Sequence, residues 1–436
     1  MKQKKKKHGM ELTLMKYWAD LHLHSRYSLA TSRDTTPEKL VFWAERKGLA
    51  LIGTGDLTHP AWREELRTKL EAAEDGLWRL KKAYHIAQDP PLATVSPVRF
   101  VLSAEVCTIY KQDGRTRKVH HLILLPDWEA AERLSARLEK YGKLVANARP
   151  ILKMNSRDLL ALTLDIAPTS IFIPAHIWTP HFSVFGMKSG FDQLEACYAD
   201  LAGEIHVLET GLSSDPPMNR RLSMLDRYAF ISNSDAHSPA KLGREATQFT
   251  GALSYPALRK ALTPPFSGLL RTVEFFPEEG KYHWDGHRSC GLQWPPRRTR
   301  EAAGKCPVCG RPVTVGVLHR LEMLADRAEE GKPPTWRPSE HLVPLTGVIA
   351  AAEGVGEQTQ RVRRIYERLL AEHGPELTVL RESPLPELAV TAGERFAEAL
   401  HRVRQGLLTI NPGFDGRYGE VAIFRPEEET PKNSSC

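Results

Sequence analysis

Along the first 276 residues, histidines and carboxylates stand at the ends of short apolar runs, and no other feature constrains the fold as strongly. Asp20-Leu-His22-Leu-His24-Ser25 closes the run that starts at Tyr17, and Asp56 and His59 follow Leu49 to Ile52. Glu105 follows Phe100 to Leu102, His176 follows Ile171 to Pro174, and Asp235 and His237 follow Ala229 to Ile231. Residues i and i+2 of a strand point to one face, so His22 and His24 can reach the same ion. Scattered core histidines have no reason to keep such a register, whereas a β/α barrel assembles its active site from residues at its strand ends. His120 and His121 instead precede the Leu122 to Leu125 run, so one of them has to approach from that strand's entrance.

The segments between these runs suit the same architecture. Thr36 and Pro37 supply a helix cap and first turn, Leu40, Val41 and Ala44 a buried face, and Gly48 a stop. Helices are also predicted from Glu129 to Tyr141, Ser156 to Leu164 and Tyr255 to Leu262, and a further strand from Ile205 to Leu208. Parallel barrel topology is the economical expectation. After Pro277, His, Trp, Gly and Cys replace the apolar runs, and helical periodicity resumes near Leu318. The expected organisation is a basic disordered tail (1–14), a catalytic barrel (15–276), a zinc-binding insert (277–318), a mainly helical C-terminal domain (319–425) and a disordered tail (426–436).

Imidazoles combined with hard carboxylates suit Zn, Mn, Mg or Fe, and a carboxylate such as Glu105 can bridge two of them. This many ligands predicts two or three divalent ions. Such a cluster acidifies water and neutralises phosphoryl charge, so phosphoester hydrolysis is the matching chemistry, with Asp235, His237 and Glu105 as catalytic candidates.

A second constellation is His287-x2-Cys290-x15-Cys306-x2-Cys309, the spacing of a closed tetrahedral zinc site with a structural role. His283 is the alternative fourth ligand. Around it stand Trp284, Arg288, Trp294, Arg297, Arg298, Arg300 and Arg311. Cations interleaved with rings suit a phosphate backbone with exposed bases, although a solvated basic face accounts for them nearly as well. The chain carries 60 Lys and Arg against 53 Asp and Glu, but five of those lysines crowd into the first seven residues and read as a solvated tail. No apolar stretch is long enough for a signal peptide or a membrane span, so a cytoplasmic, nucleoid-associated protein without a membrane partner is expected.

The strand-end pattern resembles the polymerase and histidinol phosphatase (PHP) superfamily, whose members are distorted (β/α)7 barrels with a trinuclear metal site. His22 and His24 match its opening His-x-His, Glu105 its bridging glutamate, His121 its histidine before a Leu-rich strand, and His176 its later histidine. Asp235 and His237 match its closing Asp-x-His. Thr54-Gly55-Asp56 replaces the usual Thr-Asp-His, which leaves Asp56 or His59 as the ligand there, Asp56 being favoured by register. A third early histidine found in several members is missing, since Tyr27, Ser28 and Thr31 occupy that stretch.

More narrowly, Asp20-Leu-His-Leu-His-Ser-Arg-Tyr-Ser28, Thr54-Gly-Asp-Leu-Thr-His-Pro60, Ser232-Asn-Ser-Asp-Ala-His-Ser-Pro239, the cysteine knuckle and Pro412-Gly-Phe-Asp-Gly-Arg-Tyr-Gly419 resemble the endonuclease Q family. The resemblance implies a DNA repair nuclease that nicks 5′ of uracil, hypoxanthine, xanthine and abasic sites, leaving 3′-hydroxyl and 5′-phosphate ends. DNA, double- or single-stranded, is then the partner, and a sliding clamp is a further one left open. The alternatives are a small-molecule phosphatase of the histidinol-phosphate type and a non-catalytic DNA-binding PHP module. An extruded base needs an apolar slot, for which Trp178, His181, Phe182 and Phe185 after His176, with Tyr27, are the candidates. Arg26 and Arg244 are the candidates for adjacent phosphates.

Overall fold

The structure is a computed structural model that describes residues 15–425 and residue 428. The tails expected at 1–14 and 426–436 lie outside the described residues, residue 428 excepted. No helix among the described residues is long and apolar enough to cross a membrane.

Strand Lys16–Asp20 lies at the centre of the main sheet, parallel to Leu49–Gly53, which is in turn parallel to Arg99–Gln112. The chain then reverses at Asp113 and Gly114, both with positive φ (52° and 70°), as the right-handed twist of a two-residue hairpin demands. Arg115–Leu125 therefore runs antiparallel to Arg99–Gln112, and antiparallel again to Ile171–Pro174. The all-parallel expectation is corrected here: two turn residues cannot make a crossover, which takes a dozen or more. Val207–Glu209 and Ala229–Ile231 form a separate parallel pair. A few hydrogen bonds link this pair to its neighbours: Ile177 N donates to Glu209 O, and Thr247 Oγ1 accepts from Ser232 N and donates to Ser232 O. Ala246–Thr250 then returns antiparallel to the first strand. The ring closes unevenly, and the result is a distorted barrel.

Two apolar layers hold it. Leu21, Leu51, Val101, Leu122, Leu124, Ile173, Val207 and Ile231 fill the interior. Leu40, Ala44, Trp62, Phe100, Ile123 and Leu159 belong to the layer between strands and helices. Burying each such side chain contributes about 1.5–3 kcal/mol. The helices start where capping chemistry places them: Thr36 Oγ1 accepts from Lys39 N, and Gly48 ends Pro37–Lys47 at φ 85°. Asp127, Asn155 and Ser254 cap Trp128–Leu138, Ser156–Ile166 and Tyr255–Ala261.

The segment after residue 319 is not helical throughout. Ser339–His341 joins the barrel sheet in parallel to Leu269–Glu274, and a helical stack follows from Leu345 to Gln405. That stack is fastened to the barrel by a buried ion pair, Lys47 Nζ to Glu376 Oε2 at 2.6 Å. The loop from Asn411 to Gly419 folds back on the insert, where Trp284 N donates to Gly413 O and Arg288 N to Asp415 Oδ2. A Cβ at Gly413 would collide with Gly280 O and one at Gly419 with Glu278 O, which is why glycine stands at both positions.

Behind the Asp235 loop, Glu245 and Glu274 are buried side by side. Burial pushes Glu274 up to about 7, and burial with the charge of Glu274 holds Glu245 well above the ordinary carboxyl range. Both keep their protons in the fold while the unfolded chain ionises near 4.5. The contribution of Glu274 to stability is therefore complete at low pH and falls as pH rises from 4.5 to about 7, and that of Glu245 falls in the same direction. Glu274→Gln is expected to flatten this part of a urea-unfolding profile; an unchanged slope would refute the protonated pair.

Candidate metal centre

Strand parity decides which histidine faces inward. His120 shares the interior face with Leu122 and Leu124, whereas His121 shares the outer face with Ile123. His120 Nδ1 lies 2.6 Å from Glu105 Oε1 and 3.2 Å from His176 Nε2. His121 is turned away, with Nε2 at 3.0 Å from Thr108 Oγ1 and Nδ1 at 3.0 Å from the Tyr198 hydroxyl. The assignment of His121 as a ligand is corrected to His120. His120→Ala is expected to lower cleavage by about 10²-fold or more, as loss of a metal ligand should. His121→Phe should cost only stability, about 1–3 kcal/mol from the orphaned Tyr198 hydroxyl, since Thr108 Oγ1 keeps Val119 O and Ser156 Oγ. Equal losses of activity would reverse the assignment.

Beyond the first strand, Leu23 bridges to Ala236, which brings the His22/His24 segment beside the loop bearing Asp235 and His237. His22 Nδ1 lies 3.0 Å from both oxygens of Glu209. Glu209 in turn accepts from Asn233 Nδ2 at 2.8 Å and His176 N at 2.9 Å. His24 Nδ1 lies 3.0 Å from Asp56 Oδ1, and Asp56 Oδ2 accepts from Ser25 N and Oγ at 2.5 and 2.7 Å. Both Asp56 oxygens are thus spent on fixing His24 and Ser25. Its expected role as a ligand is corrected to that of the carboxylate orienting a ligand. The alternative, His59, caps helix Pro60–Lys69 through its ring and stacks on Tyr27 at 4.6 Å. It too stands outside the cluster.

With their Nδ1 atoms anchored, His22 and His24 aim Nε2 inward; His24 Nε2 lies 3.0 Å from Asp235 Oδ1, yet these two atoms and His22 Nε2 are buried without an aligned hydrogen bond. Orphaned polar atoms at this depth cost about 1–3 kcal/mol each unless something binds them. Donor atoms within 4.8 Å of one another form three groups: His22, His24 and Glu105; His24, Asp235 and His237; Glu105, His120 and His176. Glu105 and His24 each serve two groups. This donor chemistry fits divalent ions, and Glu105 would contribute a donor to two of the groups. Asp56, His176 and Asp235 hold positive φ (50°, 29° and 46°), a strain of about 1–3 kcal/mol apiece that concentrates at the site.

The electrostatics follow. Burial opposes charge on His22, but Glu209 and Glu105 outweigh it and hold the imidazole well above its ordinary value. Burial likewise opposes charge on His24, and Asp56 and Asp235 overcome it. Burial pushes His120 down to about 4, so the neutral ring keeps one nitrogen lone pair to offer. Glu105 and Asp235 stay well below the usual carboxylate range despite burial, held there chiefly by His120 and Arg149 for Glu105 and by His24 and His22 for Asp235. Arg149 Nη1 lies 3.1 Å from Glu105 Oε2. Nothing in the sequence singles it out from other loop cations. Glu209 closes its strand and His176 follows its own, and that position is the signal for Glu209.

Among the substrate candidates, Trp178 is only 1% exposed, donates to Asn219 Oδ1 at 2.6 Å and packs on Phe185, so it belongs to the core and not to a base slot. Phe182, half-buried, covers His120 with ring centroids 4.9 Å apart. Tyr27 lies over His59, and Arg26 reaches Glu65 Oε2 at 2.7 Å. Arg244 Nε donates to Ser234 O at 2.8 Å, so it fastens the Asp235 loop, a correction to its role as a phosphate holder. In the insert, the donor atoms of His287, Cys290, Cys306 and Cys309 lie within 4.8 Å of one another, and His283 is not among them.

Nearly the whole chain has a counterpart of known structure. It superimposes on the lesion-specific endonuclease PfuEndoQ from Pyrococcus furiosus with a TM-score of 0.81 and 30% identity, over 95% of this chain and 98% of that one. The chain belongs to the endonuclease Q family. Its barrel, with the metal-ligand order traced above, is of the PHP type. An endonuclease Q complex with a 27-mer duplex carrying an abasic lesion at the active site matches with a TM-score of 0.80 and 30% identity, over 96% of this chain and 99% of that one. The family model for the MJ0043 C-terminal domain matches residues 344–407, the helical stack of this endonuclease Q chain. The uncharacterised protein MJ0043 of Methanocaldococcus jannaschii is 29% identical over 307 residues, 66% of this chain, and the match spans 38% of that relative's length.

Proposed function

We propose that the protein is a metal-dependent DNA repair endonuclease that hydrolyses the phosphodiester 5′ of uracil, hypoxanthine, xanthine and abasic sites, leaving 3′-hydroxyl and 5′-phosphate ends. The observation that carries this reading is the convergence of orphaned donors on Glu105, in a chain that matches a lesion-specific endonuclease over nearly its full length. Two or three divalent ions held by His22, His24, Glu105, His120, His176, Asp235 and His237 would acidify the attacking water and neutralise charge on the phosphoryl group.

The chain's own residues prepare that chemistry. Glu209 and Asp56 keep His22 and His24 in one orientation, so the site is set before substrate arrives. Arg149 brings a fixed positive charge to the cluster, where the anionic phosphodiester must approach. Phe182 and Tyr27 offer rings for an extruded nucleotide. Extrusion costs a few kcal/mol, least where deamination or base loss has already weakened pairing, so discrimination begins in the DNA. The four donors around Cys306 suit a zinc ion whose closed shell leaves it a structural part.

The test is a labelled duplex with one uracil, hypoxanthine or abasic site, incubated with and without EDTA. A nick 5′ of the lesion, absent with chelator and absent from the undamaged duplex, is expected. Phosphate release from monoesters without nicking would mark a small-molecule phosphatase, and tight binding without cleavage a non-catalytic module.

A further inference from the structure

A strongly anionic substrate should be met by cations, yet two of the most exposed apolar side chains among the described residues stand on loops bonded to the metal cluster. Leu29 is 74% exposed and Val145 is 66% exposed. Isolated surface leucines need no explanation, but these are mounted. The loop bearing Leu29 is tied to the cluster: Ser32 N donates to His237 O at 2.8 Å, and Arg26 N to Thr35 O at 3.2 Å. Its tip is further fixed where Leu29 N donates to Asn147 Oδ1 at 3.3 Å. Asn147 lies two residues past Val145 and two before Arg149, which reaches Glu105. Ala30, next to Leu29, is held at φ 61°, a left-handed conformation unfavourable for alanine and maintained by the surrounding bonds. Both apolar tips therefore belong to loops anchored directly to metal-site residues.

We propose that Leu29 and Val145 form a wedge that enters the base stack of duplex DNA and fills the space left by the extruded nucleotide. Apolar side chains inserted between base steps unstack and kink a duplex, and the cost of a few kcal/mol is offset when the inserted group replaces the lost stacking. Leucine and valine suit that task because they offer no hydrogen bonds and so do not discriminate the opposing base. Tyr27 and Arg26, on the same loop, would then lie on the nucleotide's side of the wedge. The inference rests on the nuclease reading, which it deepens by assigning the groups that hold the duplex open.

The experiment compares wild type with the Leu29→Ala, Val145→Ala double variant on a uracil-containing duplex and on the same uracil strand alone, which needs no unstacking of a partner. A loss of tenfold or more on the duplex, with a change under twofold on the single strand, is expected. Equal rates on the duplex, or equal losses on both, would overturn the wedge. A second measurement is independent of cleavage. With EDTA present, a 2-aminopurine placed next to the lesion should brighten when wild type binds the duplex and stay dim with the double variant at saturation. Equal brightening by both, or by neither, also overturns the wedge. A wild type that brightens the probe but nicks nothing would sink the nuclease reading and leave the wedge standing.

Discussion

Replacing Asp235 and His237 together by alanine is expected to lower nicking of a lesion duplex by about 10³-fold or more while leaving the melting temperature close to that of wild type. The size follows from the chemistry: an ion that neutralises phosphoryl charge contributes several kcal/mol to the transition state, at about 1.4 kcal/mol per decade of rate. The two residues complete one donor group with His24, whose Nε2 lies 3.0 Å from Asp235 Oδ1. The fold has little reason to suffer, because the loop is held by other groups. Arg244 grips Ser234 O, Ser234 N donates to Asp20 Oδ1, and Gly243 N donates to Asp20 Oδ2. DNA affinity measured with chelator should change by less than a few-fold, and metal analysis should show at least one ion fewer per chain. Wild-type cleavage by the double variant would remove Asp235 and His237 from the centre. Asp56→Asn offers a graded comparison, since weakening a carboxylate that only orients His24 is expected to cost about 10–100-fold.

The second large effect is on stability. Cys306→Ser with Cys309→Ser should release the ion of the insert and cost several kcal/mol, because binding free energy at a closed zinc site is folding free energy. This insert has little else to hold it: its own apolar cluster consists of Trp294, Cys306 and Val313 with three half-buried neighbours. The loss should spread to the barrel, since helix Val317–Leu324 carries Arg320, whose guanidinium donates to Phe185 O and Phe191 O in the loop beside Phe182. DNA affinity is therefore expected to fall with stability. Metal analysis, thermal unfolding and binding of one duplex give the readout; a double variant with wild-type metal content and affinity would refute the zinc assignment.

Much of the site was legible because its signals are local. Helix caps, the cysteine knuckle, and donors after apolar runs depend on a few neighbouring residues, and His22, His24, His176, Asp235 and His237 converge as their positions imply, joined by Glu105 from mid-strand. Misreadings arose where a side chain's role depends on which strand lies next to it. Asp113-Gly114 already marks a hairpin, yet reading it as one means accepting an antiparallel strand inside a barrel otherwise expected to be parallel. That reversal, with the parity shared by Leu122 and Leu124, is what selects His120 over His121.

The sequence by itself determined the donor types of the cluster, the positions of most of its donors and the chelating spacing of the insert, because donor type and short-range periodicity are properties of the chain. Tertiary structure alone decided that Asp56 and Glu209 orient histidines, that Arg149 faces Glu105, and that Trp178 is core while Leu29 is not. Those roles come from pairs separated by 31 to 187 residues in hydrogen bonds such as Ser25 to Asp56 and His22 to Glu209. Whether a carboxylate meets a metal or a histidine depends on the approach of another segment, and no local pattern encodes that approach.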